Sequence, residues 1–327
     1  MRFSVRAADR RAVRWAVRLG SRTAQLLGVV VGVVVVTFLL VHLVPGDPAR
    51  TILGTRATPQ SLAALRHEMG IDRPLPQQFT RFVGRLLHGN LGDSLVQGGR
   101  PVSDIVLPHL GVTFSVIACS MVFAILLGVP LGLWAALSRM RAVDAGVRVT
   151  TIVMLSMPPF FVGLLLLLLV SLKAGLAPAG GWGDSWPQNA RYVWLPGLAL
   201  AGYLIPVVAR AVRQSALETV RENFIEAATA RGLPRRAITF RHILPNSVLP
   251  VITLLGFNVG ALIGGAVVIE AVFALPGIGT DLVDAVATRD YPVVEGIALL
   301  TAVLVVVINL LTDVIYALVD PRIADGR

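Results

Sequence analysis

Six long apolar runs, separated by more polar stretches, dominate the chain: 24–44, 113–137, 150–172, 194–212, 247–272 and 293–318. Each approaches or exceeds the ~20 residues a helix needs to cross the hydrocarbon core of a bilayer. The pattern predicts an all-α integral membrane protein with six transmembrane helices and a helical extracytoplasmic segment between the first two. It divides the chain into a basic segment 1–23, a first span 24–44, an outer helical loop 45–108, a five-helix core 109–319 and a tail 320–327.

The outer loop is patterned too. Thr58-Pro59 is a cap followed by a first-turn proline, and the helix it opens should stop at Gly70. A second helix should begin at Pro76, bury Phe79, Phe82, Val83, Leu86 and Leu87 at helical spacing, and end at Gly89. Prolines 130, 158, 159, 196, 206 and 250 fall within spans, where neighbouring helices or water satisfy the carbonyls they free. They predict kinks around a cavity.

Composition agrees with a membrane protein: 55% of residues are hydrophobic and 15% charged, against about a quarter charged in soluble domains. The net charge of +10 is almost all arginine, with Lys173 the one lysine among 29 basic residues. These charges are not placed as a nucleic-acid footprint. Seven fall in the first 22 residues, three in 138–149 and seven in 210–246, whereas 173–193 holds two and 273–292 one. The outer loop 45–108 has seven but is long and carries five acids, and long segments cross largely regardless of charge. Both termini and the 213–246 loop are therefore expected on the cytoplasmic side of the membrane. Arg2, Arg6, Arg10, Arg14, Arg18 and Arg22 recur every four residues, a basic stripe suited to anionic headgroups. The first apolar run is too long for a signal-peptide core and lacks a convincing cleavage site, so it reads as a retained span. Cys119, the single cysteine, permits no intrachain disulfide and reads as a small core residue.

The loop at 213–246 stands apart. Glu218, Glu222 and Glu226 share spacing four, the repeat of one helical face. Ala227, Ala228 and Ala230 favour helix, Gly232 suits a left-handed helix end, and Pro234 fits the first turn of a second helix. That second helix should run from Arg235 to His242 and end before Pro245. A short helix, a sharp turn and another short helix, faced with Ala and Gly and flanked by Glu and Arg, form a plug another protein can approach closely.

The phrase from Glu226-Ala227-Ala228 through Gly232 to Leu244-Pro245 resembles the EAA loop of binding-protein-dependent ABC importer permeases. His242 stands where an Ile is usual, and Arg241-His242-Ile243-Leu244-Pro245-Asn246 is similar to the dipeptide/oligopeptide/nickel subfamily. Pro45-Gly46-Asp47-Pro48, Leu91-Gly92-Asp93-Ser94, Gly264-Gly265-Ala266-Val267-Val268-Ile269-Glu270, Phe273, Pro276-Gly277-Ile278-Gly279, Arg289-Asp290-Tyr291-Pro292 and Asp320-Pro321-Arg322 extend the resemblance to B-type subunits over roughly residues 24–322. The arginine-rich start lies outside that pattern, and Asn90 replaces a frequent acid. The resemblance implies a permease subunit importing di- or oligopeptides, with nickel or glutathione-like solutes as alternatives. It implies four kinds of partner: a second homologous permease forming a heterodimer, two cytoplasmic ATPase subunits, an extracytoplasmic solute-binding protein and the lipid bilayer. Nucleic acid is not among them. Glu222, Glu226, Ala227, Ala228, Arg231, Gly232 and Arg235 are the implied ATPase-coupling residues.

The chain itself offers no enzyme site. His42, His67, His88, His109 and His242 lack metal-ligand spacing, and Lys173 follows Leu172 rather than the glycine of a P-loop. No cofactor is expected on this chain; ATP and Mg would sit on the partner ATPases. Gly256, Gly260 and Gly264 form a small-residue face for helix packing. Ser156, Asn258 and Asp313 are the pathway candidates, while Glu270 and Glu295 fall near the outer ends of their spans, within reach of water. An ion-coupled secondary transporter is the alternative; it calls for inverted repeats and midplane acids, and neither is visible. A DNA-reading helix-turn-helix at 217–245 conflicts with the spans on either side and with the three glutamates.

Overall fold

The computed structural model describes residues 28–39, 48–54 and 57–319. Its helices are α1 (Gly28–Leu39), α2 (Pro48–Leu53), α3 (Pro59–Met69), α4 (Leu75–Leu87), α5 (Val102–Leu137), α6 (Arg141–Ser156) and α7 (Pro159–Leu166, continued by a π turn Leu167–Lys173). Then come α8 (Trp186–Thr219), α9 (Asn223–Ala230), α10 (Arg235–Ile238, continued by a π turn Thr239–Ile243), α11 (Leu244–Val272), α12 (Ile278–Thr288) and α13 (Tyr291–Val319). Among the described residues no strand forms; one isolated bridge joins Asp93 and Pro101. Among the described residues four helical segments are long and apolar enough to cross a membrane, and five if the bent pair α6–α7 counts as one span. The expected first span is described only over Gly28–Leu39, and the basic segment 1–23 and tail 320–327 lie outside the described residues. Large side chains such as Phe257 (72% exposed) and Trp134 (58%) face outward from these helices, as lipid contact requires.

The chain divides into two compact units. The first holds residues 1–104 and 285–307. The two helices expected between the first spans form as α3 and α4. Thr58 caps α3 reciprocally with Ser61, and Gly70 closes it in the left-handed conformation at φ 68°. α4 buries Phe82 against Phe38 of α1 and Leu299 of α13, with Phe79 edge-on to Phe38 at 5.2 Å between ring centres. Leu87 corrects the expected apolar face: at the last residue of the helix it is 82% exposed. Buried Asp290, at the foot of α13, accepts from the Ser94 hydroxyl and from the Leu95 amide at 3.0 Å, tying the 91–101 turn down.

The second unit, residues 105–284 and 308–327, is organised on α8, whose span is 72% buried. Small residues let its neighbours in. A Cβ on Gly132 of α5 would come 2.5 Å from the Ala209 carbonyl, and one on Gly197 would come 2.7 Å from the Cys119 sulfur. Gly265 of α11 similarly accommodates Leu200. Cys119 is thus a packing residue, as expected.

Two boundaries depart from expectation. The run 150–172 is not one straight helix: α6 begins at Arg141, and the chain bends by 98° before α7. Met157 and Pro158 are both extended there, because each precedes a proline and is pushed out of the helical region. The prolines at 130, 196, 206 and 250, by contrast, lie inside helices that run through them. The second loop helix also does not end before Pro245. Arg235 to Val272 is one 38-residue rod, and the π turn at Thr239–Ile243 widens the coil where the Pro245 ring and missing N–H must be absorbed.

Candidate coupling loop and its supports

The loop between α8 and α11 is welded to the bundle by a small apolar core. Ile225 and Ala228 of α9, Ile238 of α10 and Ile243 of the π turn bury against Ala216 of α8, with Leu133, Ala136 and Leu233 around them. The Ser215 hydroxyl donates to the Asn246 carbonyl at 3.4 Å, a second tie between α8 and the start of α11. Gly232 adopts φ 73° with nothing within 4 Å of where a Cβ would be, so its requirement is conformational and not steric.

This core divides the sequence-predicted residues. Glu222, Glu226, Ala227, Arg231, Gly232 and Arg235 are exposed and available to a partner. Ala228, by contrast, is 6% exposed and packs inside its own chain. The expected glutamate stripe is broken: Glu218 ends up in α8, Glu226 in α9, and Glu222 between them in extended conformation (ψ 142°). A regular spacing of four does not survive the three-residue corner at Val220–Glu222. Phe224 (44% exposed) and Phe240 (65%) extend the exposed face and were not singled out from sequence. Their apolar character in a polar loop, outside any lipid-length run, was the available signal.

The packing face on α11 is only partly as predicted. Gly256 is buried against Thr312 of α13, whose side chain occupies the space a Cβ would need. Gly264 is exposed and meets nothing, Gly260 is half-buried, and Gly265 supplies the close approach to α8. The pathway candidates separate likewise. The Asn258 Oδ1 accepts from the Tyr203 hydroxyl at 3.2 Å and its Nδ2 donates to the Leu254 carbonyl at 2.8 Å. Ser156 is exposed at the α6–α7 bend with its hydroxyl on the Ile152 carbonyl. The side chain of Asp313 lies outside the described residues.

Two ion pairs and one buried acid were not recognised from sequence; the pairs join residues far apart in the chain, and the acid is covered by the turn that follows it. Asp144 of α6 receives two bonds from Arg213 of α8, 2.6 and 3.0 Å long. His109 of α5 meets Asp281 of α12 at 2.6 Å; burial pushes the Asp281 carboxyl above the ordinary carboxylate range and the His109 contact opposes that. Glu270, expected near water, is fully buried, and its Oε2 accepts from the Gly279 amide at the start of α12. Glu295 is also buried, at 9% exposure. Among the described residues no group of three His, Cys, Asp or Glu is placed to hold a metal ion.

Comparison with known proteins places this geometry. Residues 128–325 match the family described as binding-protein-dependent transport system inner membrane component, and residues 14–128 match the N-terminal region of such components. The chain is 38% identical over 289 residues to the glutathione transport system permease protein GsiC of Salmonella paratyphi A, covering 88% of this chain and 92% of that one. It is 34% identical over 316 residues to the dipeptide transport system permease protein DppB of Escherichia coli K12, covering 88% and 93%. A chain of the inward-facing MetNI methionine ABC transporter shares the fold with a TM-score of 0.53 at 21% identity, covering 66% of this chain and 96% of that one.

Proposed function

The chain belongs to the family of binding-protein-dependent transport system inner membrane components, and on that footing we propose that it is the B-type subunit of an importer of short peptides. As a member of that family it is a multi-pass permease subunit of the inner membrane. The relatives named for dipeptide and glutathione transport share most of its length, which supports substrates with a peptide backbone over nickel. Its partners in this reading are a homologous permease, two ATP-hydrolysing subunits with their Mg, and an extracytoplasmic binding protein. Both termini and the α9–α10 loop face the cytoplasm, a reading supported by the arginine distribution.

The observation that carries the mechanism is the α9–α10 corner. Its outer face of Glu226, Ala227, Arg231 and Gly232 is exposed, while its inner face is anchored through Ala228 and Ile225 on Ala216 of α8 and on Ile243 of the π turn that leads into α11. A partner that grips the outer face therefore moves both helices and not a slack loop. Closure of the ATPases on ATP draws two such corners together and opens the permease pair outward; hydrolysis reverses it.

The test is uptake by the reconstituted complex. Gly232→Val places a β-branched residue at φ 73° and should abolish ATP-dependent peptide uptake while the complex still hydrolyses ATP. Gly232→Asn, which tolerates that conformation, should retain most of it. Undiminished uptake by the valine variant would refute the coupling role. Labelled dipeptide, glutathione and nickel, offered in parallel with the cognate binding protein, separate the substrate classes.

A further inference from the structure

A pocket of about 390 Å³ opens between α6 and the last turns of α8, lined by Arg148, Arg210, Arg213, Gln214, Leu217, Glu218 and Arg221. Four arginines line it against one carboxylate in the wall. Arg213 is already fixed: its Nε and Nη2 fork onto Asp144, which Arg148 also approaches at 3.5 Å. Glu218 accepts from the Gln214 amide at 3.2 Å. Among the described residues, Arg210 and Arg221 have no carboxylate within ion-pairing distance, and both are exposed. The pocket thus keeps two cations without a carboxylate partner, Arg210 in α8 and Arg221 in the corner after it, beside the already oriented Arg213.

We propose that this pocket binds a phosphate-bearing anion. Guanidinium groups present paired N–H donors that match the spacing of phosphate oxygens, and several converging on one site give the charge and the geometry that a monovalent carboxylate would not fully use. Two sources share that chemistry, the headgroup of an anionic phospholipid and free phosphate. The surroundings favour the first. Val149, beside Arg148, is 61% exposed, and Leu217 forms part of the pocket wall, so an acyl chain has an apolar surface to follow. This inference is independent of which solute the protein carries.

The test uses the full chain, purified in detergent, and fluorescent phosphatidylglycerol as probe. Wild type should bind it well above phosphatidylcholine of the same chain length. The double variant Arg210→Gln/Arg221→Gln should bind it roughly ten- to thirtyfold more weakly, the loss expected of two headgroup-facing arginines. Arg236→Gln/Arg241→Gln removes the same charge from the neighbouring loop, outside the pocket, and should change the affinity less than twofold. Preserved elution position and thermal melting in both variants separate a lost site from a lost fold. Displacement of the probe by millimolar inorganic phosphate assigns the site to the free anion, and resistance to it assigns the site to lipid; either supports the proposal. Equal binding of the two lipids with no phosphate effect on melting overturns it, as does an equal loss in the two double variants.

Discussion

The Glu270 carboxylate and the Gly279 amide meet at 2.7 Å inside the protein, joining the end of α11 to the beginning of α12. Between them the chain turns through Ala274 at φ 48° and doubles back so tightly that Gly277 lies against the carboxyl itself. The acid acts as a cap supplied from another helix, its Oε2 accepting a backbone N–H at the start of α12. Glu270→Ala should lower stability by about 1–3 kcal/mol through the orphaned amide, while Glu270→Gln, which keeps an acceptor oxygen, should lose less. Gly277→Ala should be at least as harmful as the alanine cap variant, since its methyl group would overlap the carboxyl. Melting of the purified chain in detergent ranks the three.

Gly256 and Gly264 predict opposite outcomes from the same substitution. Gly256→Leu collides with Thr312 and should cost about 1–3 kcal/mol or prevent folding. Gly264→Leu projects into open space and should leave the isolated chain's melting unchanged. If Gly264 meets the second permease, its leucine variant should instead reduce recovery of that subunit on co-purification.

The outer loop makes a similar pair. Phe82→Ala removes the ring that fills the space between Phe38 and Leu299 and should cost about 3–5 kcal/mol. Leu87→Ser should be neutral, because the leucine is 82% exposed. Chemical denaturation of the purified chain compares them.

Asp144 and Arg213 tie α6 to α8, so their effects should not add. Asp144→Ala and Arg213→Ala should each lower the melting temperature, and the double variant should be no worse than the poorer single one. Full additivity would mean the pair does not act as a unit.

Asp281 gives a pH signature. Burial raises its folded-state value above the unfolded 3.8, with His109 at 2.6 Å opposing and Asp284 reinforcing the rise. The folded state therefore holds this proton more tightly. The resulting stability is present below pH 3.8 and is lost as pH climbs through the raised folded value. Asp281→Asn should remove that decline, so the difference in melting temperature, variant minus wild type, should grow as pH rises across the window.

Local signals carried far in this chain. Thr58, Gly70 and Gly232 each sit where their caps and left-handed turns were expected, because those preferences act within one helical turn. Run lengths located the spans but understated α5 and α8, whose ends continue beyond the bilayer-length apolar core. What the sequence hid was set by distant partners. Burial of Ala228 depends on Ala216 and Ile238, and burial of Glu270 depends on a hairpin that folds back over it. The break at Pro158–Pro159 was visible as a possible kink, but its 98° size comes from two successive extended residues, which an apolar run does not reveal.

The unbroken rod from Arg235 to Val272 has a mechanical consequence. At 1.5 Å per residue its 38 residues reach about 57 Å, so a tilt of about 5° applied at the arginine end swings the far tip sideways by about 5 Å. Such a crank needs no relay of switching side chains across the membrane. In the proposed function it would turn a small push at the arginine end into a displacement at the far tip wide enough to admit or expel a side chain.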